Sequence, residues 1–84
     1  MFRINVVFFA SLKESIGLSE HAIELSAPLT IGALKQRLAK ELQHGQALLG
    51  SGVQSSIDFE FSRDKDTILH TAREVAFFPP VTGG

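Results

Sequence analysis

Between Thr30 and Leu42 the chain carries its one long amphipathic pattern: Ile31, Leu34, Leu38 and Leu42 recur at spacings of three and four. That spacing puts all four on one face of a helix. Lys35, Gln36, Lys40 and Gln43 are expected to lie largely away from the stripe. Thr30 suits the N-cap, where a side-chain oxygen accepts from a free N–H of the first turn. Leu29 and Leu34 stand where a hydrophobic staple would close over that cap. One helix with one apolar face needs a second layer to cover it. Most of the remaining sequence reads as strand, so the layer must be a sheet.

The strands are read from alternation. Residues 2–9 are rich in Val, Ile and Phe, which pack well on a pleated surface. Phe2, Ile4, Val6 and Phe8 would share one face, while Val7 and Phe9 keep the other partly apolar. A strand apolar on both faces is usually central; an exposed patch kept for a partner is the less common alternative. Ala10 to Ile16 fits a short helix, with Ser11 and Glu14 in capping-box spacing and Gly17 suited to the left-handed stop. His21 to Ser26 is the second strand, with Ile23 and Leu25 inward. Gln43 to Gly52 is a loop pinned by Leu48 and Leu49. Its glycines do not have phosphate-loop spacing, and no Gly-Lys-Ser/Thr follows. Val53 to Ser62 alternates, placing Val53, Ser55, Ile57, Phe59 and Phe61 on one face, as one strand or two short ones with a bend. Arg63 to Asp66 is a charged turn, Ile68 and Leu69 form a small apolar anchor, and Glu74 to Phe78 is the last strand. The expected class is α+β: a mixed sheet on one main helix, a roll of the β-grasp kind. The path from the second strand through the long helix leads to a third strand running parallel to it.

At 84 residues the chain suits one domain, residues 1–84, with little room for a deep cavity. Eight basic residues are scattered among nine acidic ones, which argues against a nucleic-acid partner. Acids interleave the phenylalanines of Ile57-Asp58-Phe59-Glu60-Phe61, unlike a base-stacking platform. With no cysteine, disulfides, thiolate nucleophiles and Cys-based metal sites are excluded. His21, His44 and His70 lack ligand-like spacing, so no metal is expected. The apolar run after Arg3 is broken by Asn5 and too short to span a bilayer. No membrane partner is expected, and the cytoplasm is the default compartment.

Chemistry is expected at the C-terminal end. Pro79 and Pro80 stop the last strand, since neither can donate to a ladder, and Pro80 keeps residue 79 extended. Residues 79–84 are thus expected to form an extended tail. Gly83 and Gly84 have no Cβ and can thread a narrow tunnel. A carboxylate on Gly84 is unhindered. ATP could activate it to an acyl-adenylate that accepts sulfur or joins an amine.

The string Glu74-Val75-Ala76-Phe77-Phe78-Pro79-Pro80-Val81-Thr82-Gly83-Gly84 resembles the C-terminal signature of the MoaD family, the small, sulfur carrier subunits of molybdopterin synthase. Val6-Val7-Phe8-Phe9-Ala10, the following Leu12, Lys13, Glu14 and Gly17, and Leu29 to Leu38 are similar to the family as well. The resemblance implies a ubiquitin-like β-grasp fold. It implies that Gly84 is adenylated by an activating enzyme of the MoeB type, then converted to a thiocarboxylate (a 1-thioglycine) with a sulfur donor system. The sulfur would pass to cyclic pyranopterin monophosphate in the large catalytic subunit, of the MoaE type, in a complex of two small and two large subunits. Basic catalytic residues would lie in that large subunit. Phe77, Phe78, Pro79, Pro80, Val81, Thr82 and Gly83 would be the partner-binding tail. No cofactor would stay bound, and ATP would be consumed by the activating enzyme. His70-Thr71-Ala72-Arg73-Glu74-Val75 departs from the family's Asp-Gly-Asp-Glu-Val turn, which puts that turn's geometry and its contacts with the activating enzyme in question.

Other functions fit a Gly-Gly end. One is sulfur carriage for thiamine thiazole or for tRNA thiolation. Another is a ubiquitin-like modifier joined to lysine, or a plain interaction domain. Phe77-Phe78-Pro79-Pro80 favours the molybdopterin branch.

Overall fold

The computed structural model describes residues 1–80. In chain order the strands and helices are β1 (Phe2–Phe8), α1 (Ala10–Ile16), β2 (Glu20–Leu25), β3 (Leu29–Thr30), α2 (Ile31–Glu41), β4 (Gln54–Ile57), β5 (Glu60–Ser62), β6 (Thr67–Ile68) and β7 (Glu74–Phe78), with a 3₁₀ turn over Gly45–Leu49. The main sheet has five strands in the order β2-β1-β7-β4-β5. β1 and β7 run parallel at its centre, and the other neighbours are antiparallel. β4 therefore runs parallel to β2, as expected, but two strands separate them. A second, two-stranded pairing of β3 with β6 was not legible, because each is two residues long. This is the ubiquitin-like β-grasp arrangement.

The core lies between α2 and one face of the sheet. Ile31, Leu34 and Leu38 are fully buried, and Leu42 packs against them from the rim. Ile4, Val6 and Phe8 of β1 and Val75 and Phe77 of β7 meet them from the sheet side. Thr30 caps α2 as expected: its Oγ1 accepts from the Ala33 N–H at 3.1 Å.

Lys35 is not on the solvent face. It is nearly buried, and its Nζ donates to Asp64 Oδ1 at 2.7 Å and to the Val53 carbonyl at 3.3 Å. Asp64 also accepts from the Gly32 N–H through its own carbonyl at 2.9 Å. A long amphipathic side chain can bury its stem when a carboxylate meets its head. The ion pair joins α2 to the loop between β5 and β6.

α1 is capped differently from expectation. Its N-cap is Phe9 rather than Ser11, and no side chain caps it. Its C-terminus follows the reading: Gly17 has φ 85° and donates its N–H to the Lys13 carbonyl. In the loop after α2, Leu48 is buried while Leu49 is exposed, so of the two leucines Leu48 is the one that pins it, with Ala47 packed beside the core. Ile68 and Leu69 divide in the same way, with Ile68 inside.

The largest departure concerns Phe59 and Phe61, which are 86% and 82% exposed. Opposite residues of an antiparallel pair share a face. Ile57 pairs with Glu60 and Ser56 with Phe61 across a two-residue turn. The turn reverses the parity, so the odd-numbered positions that face inward on β4 face outward on β5. Asp58 and Phe59 both have positive φ, 48° and 72°, as a two-residue hairpin of the primed type demands.

Candidate functional site: an aromatic sheet face beside the C-terminal segment

The parallel pairing of β1 and β7 aligns two phenylalanine pairs on opposite sides of the sheet. Phe8 is paired with Phe77, and their rings stack at 6.3 Å inside the core. One residue on, alternation sends Phe9 and Phe78 to the other face, where their rings stack at 4.9 Å and 5°. The Phe9 N–H donates to the Phe77 carbonyl at 3.2 Å, which locks the two strand ends together.

Phe61 extends the outer pair. It reaches Phe78 at 6.4 Å with a tilted ring. Phe59 stands next to it at the hairpin tip. With Ser56, Glu74 and Ala76 these four rings line a shallow, largely apolar depression of about 160 Å³. Large apolar side chains gathered on one exposed face, with polar residues at the edge, make this the candidate docking face among the described residues. Phe59 adds to that reading. A bulky residue at positive φ is an outlier, and such strain gathers at functional positions.

The hairpin tip is fixed to the start of β7. Asp58 Oδ1 accepts from the N–H groups of Arg73 and Glu74 at 3.0 and 2.9 Å. The Asp58 N–H in turn donates to the Glu74 carbonyl at 2.8 Å. Asp58 thus organises the divergent His70–Glu74 turn, supplying from the neighbouring hairpin the acceptor for its two amides.

The residues expected to act divide three ways. Phe78, Pro79 and Pro80 are partly or fully accessible at the end of β7. Phe77 is fully buried, so its side chain offers no surface to a partner; it anchors the strand that carries the others. Val81, Thr82, Gly83 and Gly84 lie outside the described residues. Sequence reasoning missed Phe59 and Phe61 as surface residues, whereas Phe9 lies on the second face of β1, as its alternation implied. The signal was present: acids alternating with Phe across Asp58-Phe59-Glu60-Phe61 mark a solvent-facing turn, not a buried strand. Among the described residues, no group of three or more His, Asp or Glu side chains could hold a metal ion. No helix among them is long and apolar enough to cross a membrane.

Comparison with known proteins agrees with this fold. The ThiS family pattern matches residues 6–84. The molybdopterin synthase sulfur carrier subunit of Escherichia coli is 36% identical, the match covering 96% of this chain and 99% of that one. The corresponding subunit of Haemophilus influenzae is 33% identical over the same shares. Among solved structures, small archaeal modifier protein 1 of Haloferax volcanii superposes with a TM-score of 0.76 over 96% of this chain and 100% of that one. At 17% identity that likeness speaks for the fold alone.

Proposed function

The chain belongs to the ThiS family, and from that premise we propose that it is the sulfur carrier subunit of a molybdopterin synthase, with Gly84 as the residue that carries sulfur. The observation that supports this most is continuity: the family match runs through residue 84, and the aromatic docking face ends at Phe78, two prolines before that segment.

In this reading the Gly84 carboxylate attacks the α-phosphorus of ATP on an adenylating enzyme of the MoeB type. Pyrophosphate leaves and a glycyl-adenylate forms. A sulfur donor system then delivers sulfide-level sulfur to the acyl carbon, and AMP departs. One oxygen of Gly84 has been exchanged for sulfur, giving a thiocarboxylate. In the large subunit, of the MoaE type, that sulfur is transferred to cyclic pyranopterin monophosphate on the way to molybdopterin. Water cleaves the acyl–sulfur bond once the sulfur is attached to the pterin precursor, supplying the oxygen that returns Gly84 to the carboxylate, so the carrier cycles. Residues 79–84 act as an extended tail that reaches into both partners, and Gly83 and Gly84 keep it narrow.

The described residues supply docking and rigidity. Phe9, Phe59, Phe61 and Phe78 present apolar area to a partner. Exposed aromatic side chains such as these are enriched in the part of an interface that becomes buried on binding. Pro79 and Pro80 stiffen the start of the tail, which lowers the entropy lost on insertion. The acid–base groups of the reaction belong to the partners.

Co-purification tests the branch of the family. The carrier should retain a molybdopterin synthase large subunit in preference to a thiazole synthase or a tRNA-thiolating enzyme, and the complex should convert cyclic pyranopterin monophosphate. Retention of thiazole synthase alone would move the chain to the thiamine branch. An isopeptide adduct on lysine would make it a modifier.

A further inference from the structure

We propose that Gly52 is a positioning residue for the C-terminal segment: its bare Cα is the seat against which Pro80 rests, and that seat sets the heading of the chain where it leaves β7. This role for Gly52 rests on the sulfur-carrying tail proposed above.

The β4–β7 ladder ends with Gln54 opposite Phe78. Two residues further on, the same register brings Gly52 opposite Pro80. Proline has no N–H, so it cannot donate a hydrogen bond to extend the ladder here. Contact takes its place. A Cβ on Gly52 would lie 2.8 Å from Pro80 Cβ, 3.7 Å from its Cγ and 3.8 Å from its Cα. The pyrrolidine ring is fused to the backbone and cannot swing aside. Any side chain at position 52 must therefore displace the main chain at Pro80, or be displaced itself.

Residue 52 has little freedom to withdraw. The Val53 N–H donates to the Gly50 carbonyl at 3.4 Å. The Val53 carbonyl accepts from Lys35 Nζ at 3.3 Å, and Lys35 is held at 2.7 Å by Asp64. The nearly buried ammonium thus braces the Gly52 turn against α2. Gly52 also has φ 83°, which a side chain disfavours. Two penalties are superposed at this position, and Gly17 separates them. Gly17 has nearly the same φ, 85°, and a Cβ added there would meet nothing within 4 Å. Gly17→Ala carries the backbone strain alone, whereas Gly52→Ala carries the strain and the collision.

The test compares wild type, Gly17→Ala, Gly52→Ala, Pro80→Gly and the Gly52→Ala/Pro80→Gly double variant. The readout is ATP-dependent pyrophosphate release by the adenylating enzyme over a range of carrier concentrations. Both alanine variants should lose thermal stability, Gly52→Ala at least as much as Gly17→Ala. Gly52→Ala alone should lose kcat/KM, by roughly 100-fold if the tail is misdirected by about an ångström. In the Pro80→Gly background, Gly52→Ala should add no further loss, since the two act through one contact. Equal kcat/KM for the two alanine variants would overturn the proposal, as would a full additional loss in the Pro80→Gly background. A second readout uses the free protein and needs no partner. Wild type should show nuclear Overhauser contacts between the Gly52 α-protons and the Pro80 ring, and their absence would also overturn it. If wild type released no pyrophosphate while those contacts were present, the carrier function would fall and the seat would stand.

Discussion

Phe9 and Phe78 stack across the parallel β1–β7 pair with ring centroids 4.9 Å apart, on the face of the sheet turned away from the helices. Their neighbours Phe8 and Phe77 make the matching pair inside. A stacked pair is worth about 0.5–1.5 kcal/mol beyond its buried area. On the outside this holds both strand ends rigid where the tail begins.

The outer face should be separable from the fold. Phe61→Ser removes an exposed ring, so its effect on unfolding free energy should stay within about 0.5 kcal/mol. Its affinity for the large subunit should fall at least tenfold, or about 1.4 kcal/mol, measured by titration calorimetry. Unchanged affinity would remove Phe61 from the docking surface.

Phe59 should show a trade between stability and binding. Its positive φ suits glycine, the favoured second residue of this turn. Phe59→Gly should raise the unfolding free energy, read from urea titration, by up to about 1 kcal/mol, while weakening the complex. A fall in stability would show that the exposed ring makes contacts that outweigh its backbone strain.

Asp58 should matter more than its exposure suggests. Asp58→Ala strips the acceptor from the Arg73 and Glu74 amides and puts alanine at positive φ. The expected loss is about 1–3 kcal/mol. Asp58→Asn keeps an Oδ1 acceptor and a residue type tolerant of that backbone, so it should lose less. Equal losses would mean that charge, not the acceptor geometry, holds the turn.

Packing of the long helix can be checked on its own. Leu38 is fully buried under the sheet, and Leu38→Ala should cost ~2–5 kcal/mol in urea unfolding. No loss would contradict the packing of α2.

The sequence made the core legible wherever periodicity ran long enough. The stripe Ile31, Leu34, Leu38 and the alternation of β1 translate directly into buried faces. So does the cap at Thr30, because its partner is three residues away. What was not legible depends on distant residues. Lys35 is buried because Asp64 meets it from another loop. Phe61 faces out because a two-residue turn changes which neighbours it pairs with. Asp58 rebuilds the divergent turn from another hairpin, a contact no local window contains. Of the tail, Phe78, Pro79 and Pro80 emerge where the strand pattern put them, whereas Phe77 is held in the core by the same alternation that exposes Phe78.

The central claim is that Gly84 carries sulfur. Its most direct test is the intact mass of the carrier after incubation with adenylating enzyme, ATP and a sulfur donor. The account predicts a gain equal to replacement of one oxygen by sulfur, located on Gly84 by fragmentation and lost when Gly83 and Gly84 are deleted or the chain is extended beyond Gly84. An unchanged mass with a partner set that thiolates the Escherichia coli subunit would contradict it.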